Sequence, residues 1–241
     1  MVKAFALIYG MAACILFGAT AIYAVGFIAN LIVPKSIDSG AAGPWPQALL
    51  IDIGLFAVFA LQHSVMARQG FKRWWTRFIP GCIERATYVL AASLLLALLL
   101  WLWRPMPYPI WEIANAPARL VLWGLFWAGW SVVLIAAFLS NHLELIGLQQ
   151  IMDALRDRQG SAPQLTTSGL YRIVRHPIYA GSIVAFWATP SMTAGHLLLA
   201  AMATAYTVLG ACFEERDLLN TFGDSYRRYQ RDVRMLVPLP K

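Results

Sequence analysis

Charged residues are scarce in this chain of 241 residues: Asp, Glu, Lys and Arg make up only 13% of it, whereas 59% is hydrophobic. A typical soluble domain has about 25% charged and about 45–50% apolar residues. A soluble globular protein of this size needs more polar surface than this chain offers, and a disordered chain contains far fewer apolar residues. The composition therefore excludes both classes and predicts a polytopic membrane protein.

Cysteine is also scarce, with three widely spaced residues at Cys14, Cys82 and Cys212. They form neither a CxxC pair nor a zinc pattern, and the chain lacks the HExxH, P-loop and GxGxxG motifs. The sequence therefore predicts no metal site. The formal net charge of +7 is assigned to loop cations that set membrane topology. Nucleic-acid binding is not expected, because no recognition motif accompanies the charge.

Long apolar runs are abundant. Four of them suit membrane-spanning helices, which need about 20 residues; they are Ala4–Val33, Ala48–Met66, Ala86–Trp103 and Leu120 to about Ile146. A signal peptide is the alternative for the first run, but its apolar core is ordinarily only about 7–15 residues long, so we expect a retained span. Two later runs, Ile178–Pro190 and Ala194–Phe213, predict a hairpin with a short first arm. The predicted fold class is an all-α polytopic membrane helical bundle of four spans plus this C-terminal hairpin, five or six spans in all.

The basic residues predict the orientation of these spans. With the N-terminus inside, only three of the 19 Lys and Arg residues fall on the outer side, and these are Lys35, Arg104 and Arg119. Positive charge is concentrated in cytoplasmic loops of membrane proteins. We therefore expect an integral protein of the cytoplasmic (inner) membrane with both termini in the cytoplasm.

Polar residues collect at the predicted cytoplasmic ends of two spans. Gln62 and His63 lie at the end of the second span, and Asn141 and His142 near the end of the fourth. Ionisable groups within a membrane are costly and mark functional sites by default. The alternatives are that the long side chains extend to the interface and that each histidine makes an interhelical hydrogen bond.

The segment before the hairpin predicts an anion site. Pro177 disfavours helical geometry at His176 and suits the first position of a helix. The backbone N–H groups of residues 178–180 would then be unpaired at the positive end of a helix, beside Arg175, and such a helix start binds anions. With Glu214-Glu215 at the same depth, a zwitterion such as the amino-acid part of S-adenosylmethionine would fit. An ordinary proline-capped helix with a topology arginine is the alternative.

These segments carry a family resemblance. RHPIYAG at 175–181, EERDL at 214–218 and FGDSYRRY at 222–229 resemble the isoprenylcysteine carboxyl methyltransferase superfamily of integral-membrane methyltransferases. The match covers about Thr166 to Pro238.

Upstream segments resemble one branch of that superfamily most closely. They are FALQHSVMAR at 59–68, NHLELIGLQQ at 141–150 and FWATPSMTAGH at 186–196. The branch is that of the methanethiol S-methyltransferases, which form dimethyl sulfide.

The resemblance implies a cytoplasmic pocket for S-adenosylmethionine and methyl transfer to a small apolar thiol. The expected cofactor-binding residues are Leu170, Tyr171, Arg175, His176, Pro177, Tyr179, Gly181, Glu214 and Glu215. Gln62 and His63 are expected to bind substrate. Because an alkyl thiol is mostly protonated at neutral pH, a base is useful, and we expect His142 to supply it with Asn141 holding the imidazole or the sulfur.

The sequence also allows other acceptors and another class of function. The acceptor could instead be an isoprenylated cysteine carboxylate or a phospholipid amine, and a non-enzymatic transporter or assembly protein is a third possibility. Residues 1–146 are assigned to the N-terminal spans. Residues 147–241 are assigned to the cofactor loop, hairpin and tail of one integrated membrane domain. The lipid bilayer is the expected partner, and the sequence does not specify an oligomeric state.

Overall fold

The computed structural model describes residues 2–140, 142–156, 158 and 164–238, and for Val2 and His142 it describes the backbone alone. The helices and strands follow in chain order as α1 (Val2–Ala29), α2 (Trp45–Ala67), α3 (Gln69–Trp75), α4 (Glu84–Leu102), β1 (Pro109–Glu112), α5 (Ala116–Leu139), α6 (His142–Leu145), α7 (Leu148–Leu155), α8 (Pro177–Trp187), β2 (Ser191–Thr193), α9 (Ala194–Phe222) and α10 (Asp224–Asp232). Short 3₁₀ helices occupy Gly81–Ile83 and Gly169–Arg172.

Long apolar helices dominate this architecture. Within the described residues, five helices are long and apolar enough to cross a membrane, and they are α1, α2, α4, α5 and α9. The 11 residues of α8 extend about 16 Å at 1.5 Å per residue, about half of a hydrocarbon core of about 30 Å. The predicted polytopic helical fold is confirmed, including the short first arm of the C-terminal hairpin.

Two helix ends differ from the sequence prediction by seven or more residues. Helix α5 ends at Leu139, about seven residues before the predicted end, because the apolar run continues into the separate short helix α6. Helix α9 continues nine residues past Phe213 through charged residues, and it ends where Gly223 adopts a φ of 53°. Hydrophobic runs indicate where a chain meets lipid, whereas a glycine with a positive φ indicates where a helix stops.

A small sheet that the sequence did not predict closes the hairpin turn. Strand β2 pairs antiparallel with β1, with Glu112 opposite Ser191. The backbone continues this pairing where the N–H of Ile113 donates to the carbonyl of Pro190. Runs of three or four residues are too short to give a recognisable alternating pattern.

The chain divides into two compact units. Unit 1 comprises Met1–Pro107 and His142–Ala162, and unit 2 comprises Tyr108–Asn141 and Pro163–Lys241. In unit 1, a core of small and branched side chains joins α1, α4 and α7, and it consists of Ala6, Ala13, Ile83, Ala86 and Ile151.

Unit 2 is built around a close crossing of α5 and α8. A methyl group built on Gly129 would lie 2.6 Å from the carbonyl oxygen of Gly181, and one built on Gly181 would lie 2.6 Å from that of Gly129. Membrane helices use such small residues to bring their backbones together, since lipid offers no hydrophobic driving force for association. The two glycines therefore set the position of α8 against α5.

Replacing Gly129 with Ala should destabilise the protein by about 1–3 kcal/mol, the usual cost of overpacking, because the new methyl group meets backbone rather than a movable side chain. Gly124→Ala on the same helix is the matched control, since nothing lies within 4 Å of a methyl group there. Thermal unfolding in detergent, followed by circular dichroism, measures both. Equal stability of the two variants would contradict the proposed backbone contact.

Candidate functional site

The segment that leads into α8 is fixed by the C-terminal tail. The N–H of Arg175 donates to the carbonyl of Arg234 over 2.8 Å, and the N–H of His176 donates to that of Met235 over 3.1 Å. Val174 and Arg234 form a parallel bridge. His176, with φ −123° and ψ 68°, then stands outside the helix that Pro177 begins, as the sequence predicted.

The Glu215 carboxylate on α9 contacts side chains from two other segments, the loop before α8 and helix α10. Its Oε1 accepts from Arg175 over 2.6 Å and from the Tyr226 hydroxyl over 3.2 Å. His176 Nε2 lies 3.2 Å from the same oxygen. Oε2 accepts from the side chain of Gln230 over 2.7 Å. The loop before α8, helix α9 and helix α10 are therefore joined at one carboxylate.

The positive charge of Arg175 is compensated within this cluster. Its side chain is 9% exposed and that of Glu215 is 13% exposed, and the guanidinium also donates to the carbonyls of Val233 and Gln230. A charge-assisted pair of this kind is stronger than a neutral hydrogen bond. Arg175 thus secures the tail and α9 to the start of α8.

The sequence prediction of three open N–H groups at the start of α8 is wrong for Ala180. Its N–H donates to the carbonyl of His176 over 3.0 Å, the first bond of the helix. Only N–H groups that precede this bond can serve a ligand at the helix start.

Glu214 differs from its neighbour in exposure. Its side chain is 46% exposed and accepts a 2.8 Å hydrogen bond from the Tyr179 hydroxyl. His176 Nδ1 lies 3.6 Å from the same oxygen. The rings of His176 and Tyr179 are nearly parallel, 7° apart, with centroids 5.4 Å apart. Of the two adjacent carboxylates, Glu214 is therefore the one open to a ligand.

Three tyrosine hydroxyls stay protonated around this cluster. Burial raises the pKa of Tyr171, and burial together with the negative charge of Glu215 raises the pKa of Tyr226. Burial likewise raises the pKa of Tyr229 to about 12. The Tyr229 hydroxyl donates to the carbonyl of Tyr171 over 2.5 Å, and that of Tyr171 donates to the carbonyl of Ala136 over 3.4 Å.

The other predicted cofactor residues of unit 2 are Leu170, Pro177 and Gly181. They make backbone hydrogen bonds or packing contacts. The Leu170 carbonyl accepts from the N–H groups of Ile173 and Val174, Pro177 is buried, and Gly181 packs on Gly129. Sequence reasoning missed Tyr226, Tyr229 and Gln230 as members of the cluster. The signal was present, because both tyrosines lie in the FGDSYRRY segment that carries the family resemblance.

The predicted substrate residues lie in unit 1. His63 Nε2 is 2.7 Å from the Tyr88 hydroxyl, and the two rings are in contact, with centroids 5.1 Å apart. The guanidinium of Arg85 lies over the Tyr88 ring, 5.0 Å from its centroid. Gln62 donates to the sulfur of Met66 on its own helix.

Arg85 also anchors the segment that follows α5. Its Nε donates to the carbonyl of Leu145 over 3.3 Å, and its backbone N–H donates to the Gln150 side chain over 3.1 Å. A side chain at Gly147, whose φ is 83°, would meet the backbone of Ala86 at 2.6 Å. Helix α6, which begins at His142, is thereby fixed close to the Tyr88–His63 pair.

The structure thus brings Leu170, Tyr171, Arg175, His176, Pro177, Tyr179, Gly181, Glu214 and Glu215 together in unit 2. It places Gln62, His63 and the backbone of α6 in unit 1. Asn141 and the side chain of His142 lie outside the described residues. Unit 2 offers an open carboxylate beside a helix start, which suits a zwitterion, and unit 1 offers an imidazole bonded to a phenol, which suits proton transfer.

Known proteins resemble the chain over nearly its whole length. The phospholipid methyltransferase family model matches residues 126–225. A methanethiol S-methyltransferase of Mycobacterium tuberculosis is 52% identical over 97% of this chain and 96% of its own. One from a Pseudomonas species is 50% identical over 96% of this chain and 89% of its own.

A third relative, methanethiol S-methyltransferase 1 of Bradyrhizobium diazoefficiens, is 50% identical over 98% of this chain and 83% of its own. No solved structure is significantly similar to the chain. Helices that suit a bilayer and full-length similarity to these enzymes lead to one conclusion: the chain is an integral-membrane methyltransferase and belongs to the methanethiol S-methyltransferase family.

Proposed function

We propose that this protein methylates methanethiol to dimethyl sulfide with S-adenosylmethionine as the methyl donor. The observation that carries the proposal is the identity of 50% or more, over nearly the whole chain, to three methanethiol S-methyltransferases. The open carboxylate of Glu214 beside the start of α8 supports it.

The cluster in unit 2 fits the cofactor by the chemistry of its side chains. Glu214, with its side chain 46% exposed, suits the ammonium of the amino-acid part. The first-turn N–H of Ile178 suits the carboxylate of that part. Glu215 contacts four side chains of the protein and acts as a positioning residue for Arg175 and His176. Bound S-adenosylmethionine supplies a methyl group on a cationic sulfonium, which a thiolate can displace.

The residues of unit 1 prepare the acceptor. A thiol is a weak nucleophile until its proton leaves, and His142 on α6 is the proposed base, with Asn141 holding it. His63, held by Tyr88, and Gln62 are proposed to contact the methanethiol. A thiolate and a sulfonium carry opposite charges, so their reaction is favoured where water is excluded.

The proposed location is the cytoplasmic membrane with both termini inside. The distribution of Lys and Arg supports this orientation, which places His63 near the cytoplasmic end of α2, Glu214 in the cytoplasmic part of α9, and α6 on the cytoplasmic side. A cofactor made in the cytoplasm would then reach the site directly, and the apolar thiol would reach it from either the lipid or the cytoplasm.

The acceptor is tested with labelled S-adenosylmethionine and membranes that contain the protein. We expect labelled dimethyl sulfide from methanethiol, and little or no label in a prenyl-cysteine analogue or in phosphatidylethanolamine. Membranes that lack the protein are the control. Label in either of the other two acceptors, without dimethyl sulfide, would replace the thiol with that substrate.

Glu214→Gln should weaken S-adenosylmethionine binding about tenfold, the order expected from losing a charged hydrogen bond of about 1.5–3 kcal/mol, with little effect on the unfolding temperature. Glu215→Gln should instead lower the unfolding temperature, because it removes the charge that Arg175 pairs with. Calorimetry with the cofactor and thermal unfolding, both in detergent, separate the two effects.

Asp217→Asn is the matched control for Glu214→Gln, since it removes the same charge from an exposed position on the same helix. Its cofactor affinity should equal that of the native protein. If Glu214→Gln and Asp217→Asn behave alike, the ammonium of the cofactor does not contact Glu214.

His142→Ala should lower the rate of dimethyl sulfide formation most near neutral pH and recover part of it at alkaline pH, where the thiol ionises unaided. Loss of cofactor affinity would give a defect that does not depend on pH. Rates from pH 6 to 9 at saturating cofactor distinguish the two, with His63→Ala measured in parallel. A native rate for His142→Ala across the range would remove it as the base.

A further inference from the structure

The end of unit 1 away from His63 gathers two of the three cations predicted to lie outside. Lys35 and Arg104 line a cavity of about 420 Å³, together with Pro34, Trp101 and Leu102. Outer loops of membrane proteins are generally poor in positive charge. Lys35 and Arg104 are 69 positions apart in the chain and yet line the same cavity. The rule that sets membrane topology does not explain two cations there, so another function is expected.

The charges at this cavity are incompletely balanced. Burial and the positive charge of Arg104 lower the pKa of Lys35, and Asp52 opposes this effect only in part. Asp52 is fully buried, and its Oδ1 accepts the backbone N–H of Arg104 over 2.8 Å. Lys35 donates to the carbonyl of Trp101, whereas the guanidinium of Arg104 makes no hydrogen bond within the described part of the chain. An anion in the cavity would balance the excess positive charge.

Apolar side chains that line the cavity, or that shortly precede its Pro34 in the chain, indicate which anion fits. Ile32 is fully exposed, Trp101 is 71% exposed, and Leu31 and Leu102 are each 38% exposed. Ile32 also has a φ of 56°, a conformation that a β-branched residue adopts only under strain. An anion with hydrocarbon chains would cover this apolar surface, and a free inorganic anion would not.

The cavity is separate from the proposed catalytic groups. Asp52 and His63 are 11 residues apart on α2, or about 16 Å along the helix axis at 1.5 Å per residue. From Tyr88 to Leu102, the last residue of α4, the distance is about 21 Å by the same measure. A ligand at Lys35 and Arg104 would therefore occupy a second site within unit 1.

We propose that this cavity binds the phosphate of an anionic phospholipid. Lys35 and Arg104 contact the phosphodiester, and the acyl chains lie against Leu31, Ile32 and Trp101. Arg suits a phosphate because its planar guanidinium donates two parallel hydrogen bonds, and Trp is typical of the membrane interface.

The test is binding of phosphatidylglycerol to delipidated protein in a neutral detergent, measured by native mass spectrometry. Arg104→Gln should weaken binding about fivefold, from about 1 kcal/mol for each cation that contacts an anionic lipid. Arg104→Lys should keep most of the affinity. Arg119→Gln is the matched control, since Arg119 is the third predicted outer cation, is exposed and lies in unit 2, and it should bind like the native protein.

Competition experiments distinguish the phosphate of a lipid from free inorganic phosphate. Phosphatidylcholine with the same acyl chains should bind more weakly than phosphatidylglycerol, and inorganic phosphate should not displace the lipid at equal concentration. Displacement by inorganic phosphate would make the cavity a site for free anions and overturn the lipid assignment. Equal losses in Arg104→Gln and Arg119→Gln, or no loss in Arg104→Gln, would also overturn it. Methyl transfer by Arg104→Gln in detergent should equal that of the native protein.

Discussion

The carboxylate of Glu215 is the contact on which the geometry of unit 2 depends. Arg175, His176, Tyr226 and Gln230 all reach it, although they come from the loop before α8 and from α10. A buried pair that lost one partner would leave an uncompensated charge, which costs several kcal/mol. The adjacent carboxylate of Glu214 can remain half-exposed because Glu215 already fixes the segments around it.

The sequence predicted the membrane-spanning helices well, because contact with lipid requires an apolar sequence. It predicted helix ends and the short sheet poorly, because backbone contacts determine these. The apolar runs located α2 and α4 to within a few residues, because a membrane span must be apolar along its length. The end of α9 at Gly223 and the pairing of β1 with β2 could not be inferred from hydropathy. The sequence also could not distinguish the roles of Glu214 and Glu215. Adjacent residues on a helix point about 100° apart, and only the fold determines which of the two faces inward.

In unit 1 the sequence pointed to histidines and overlooked the arginine that organises them. Arg85 was counted among the cations that set topology, yet it contacts the Tyr88 ring and the carbonyl of Leu145. Arg85 thereby links the region around His63 to the end of helix α6, the helix that begins at His142, 79 positions after His63. A positively charged loop residue and a site-forming residue look alike in a sequence, because both functions use the same guanidinium.

The bond between Asp52 and the backbone of Arg104 bears on how the chain enters the bilayer. A carboxylate within a spanning helix opposes insertion, and the N–H that binds it is made 52 residues later, about 3–10 s at ordinary rates of synthesis. During that interval α2 lacks its native donor, so α2 and α4 are expected to complete insertion as a pair. Since the donor is a backbone group, every residue except proline at position 104 can supply this hydrogen bond.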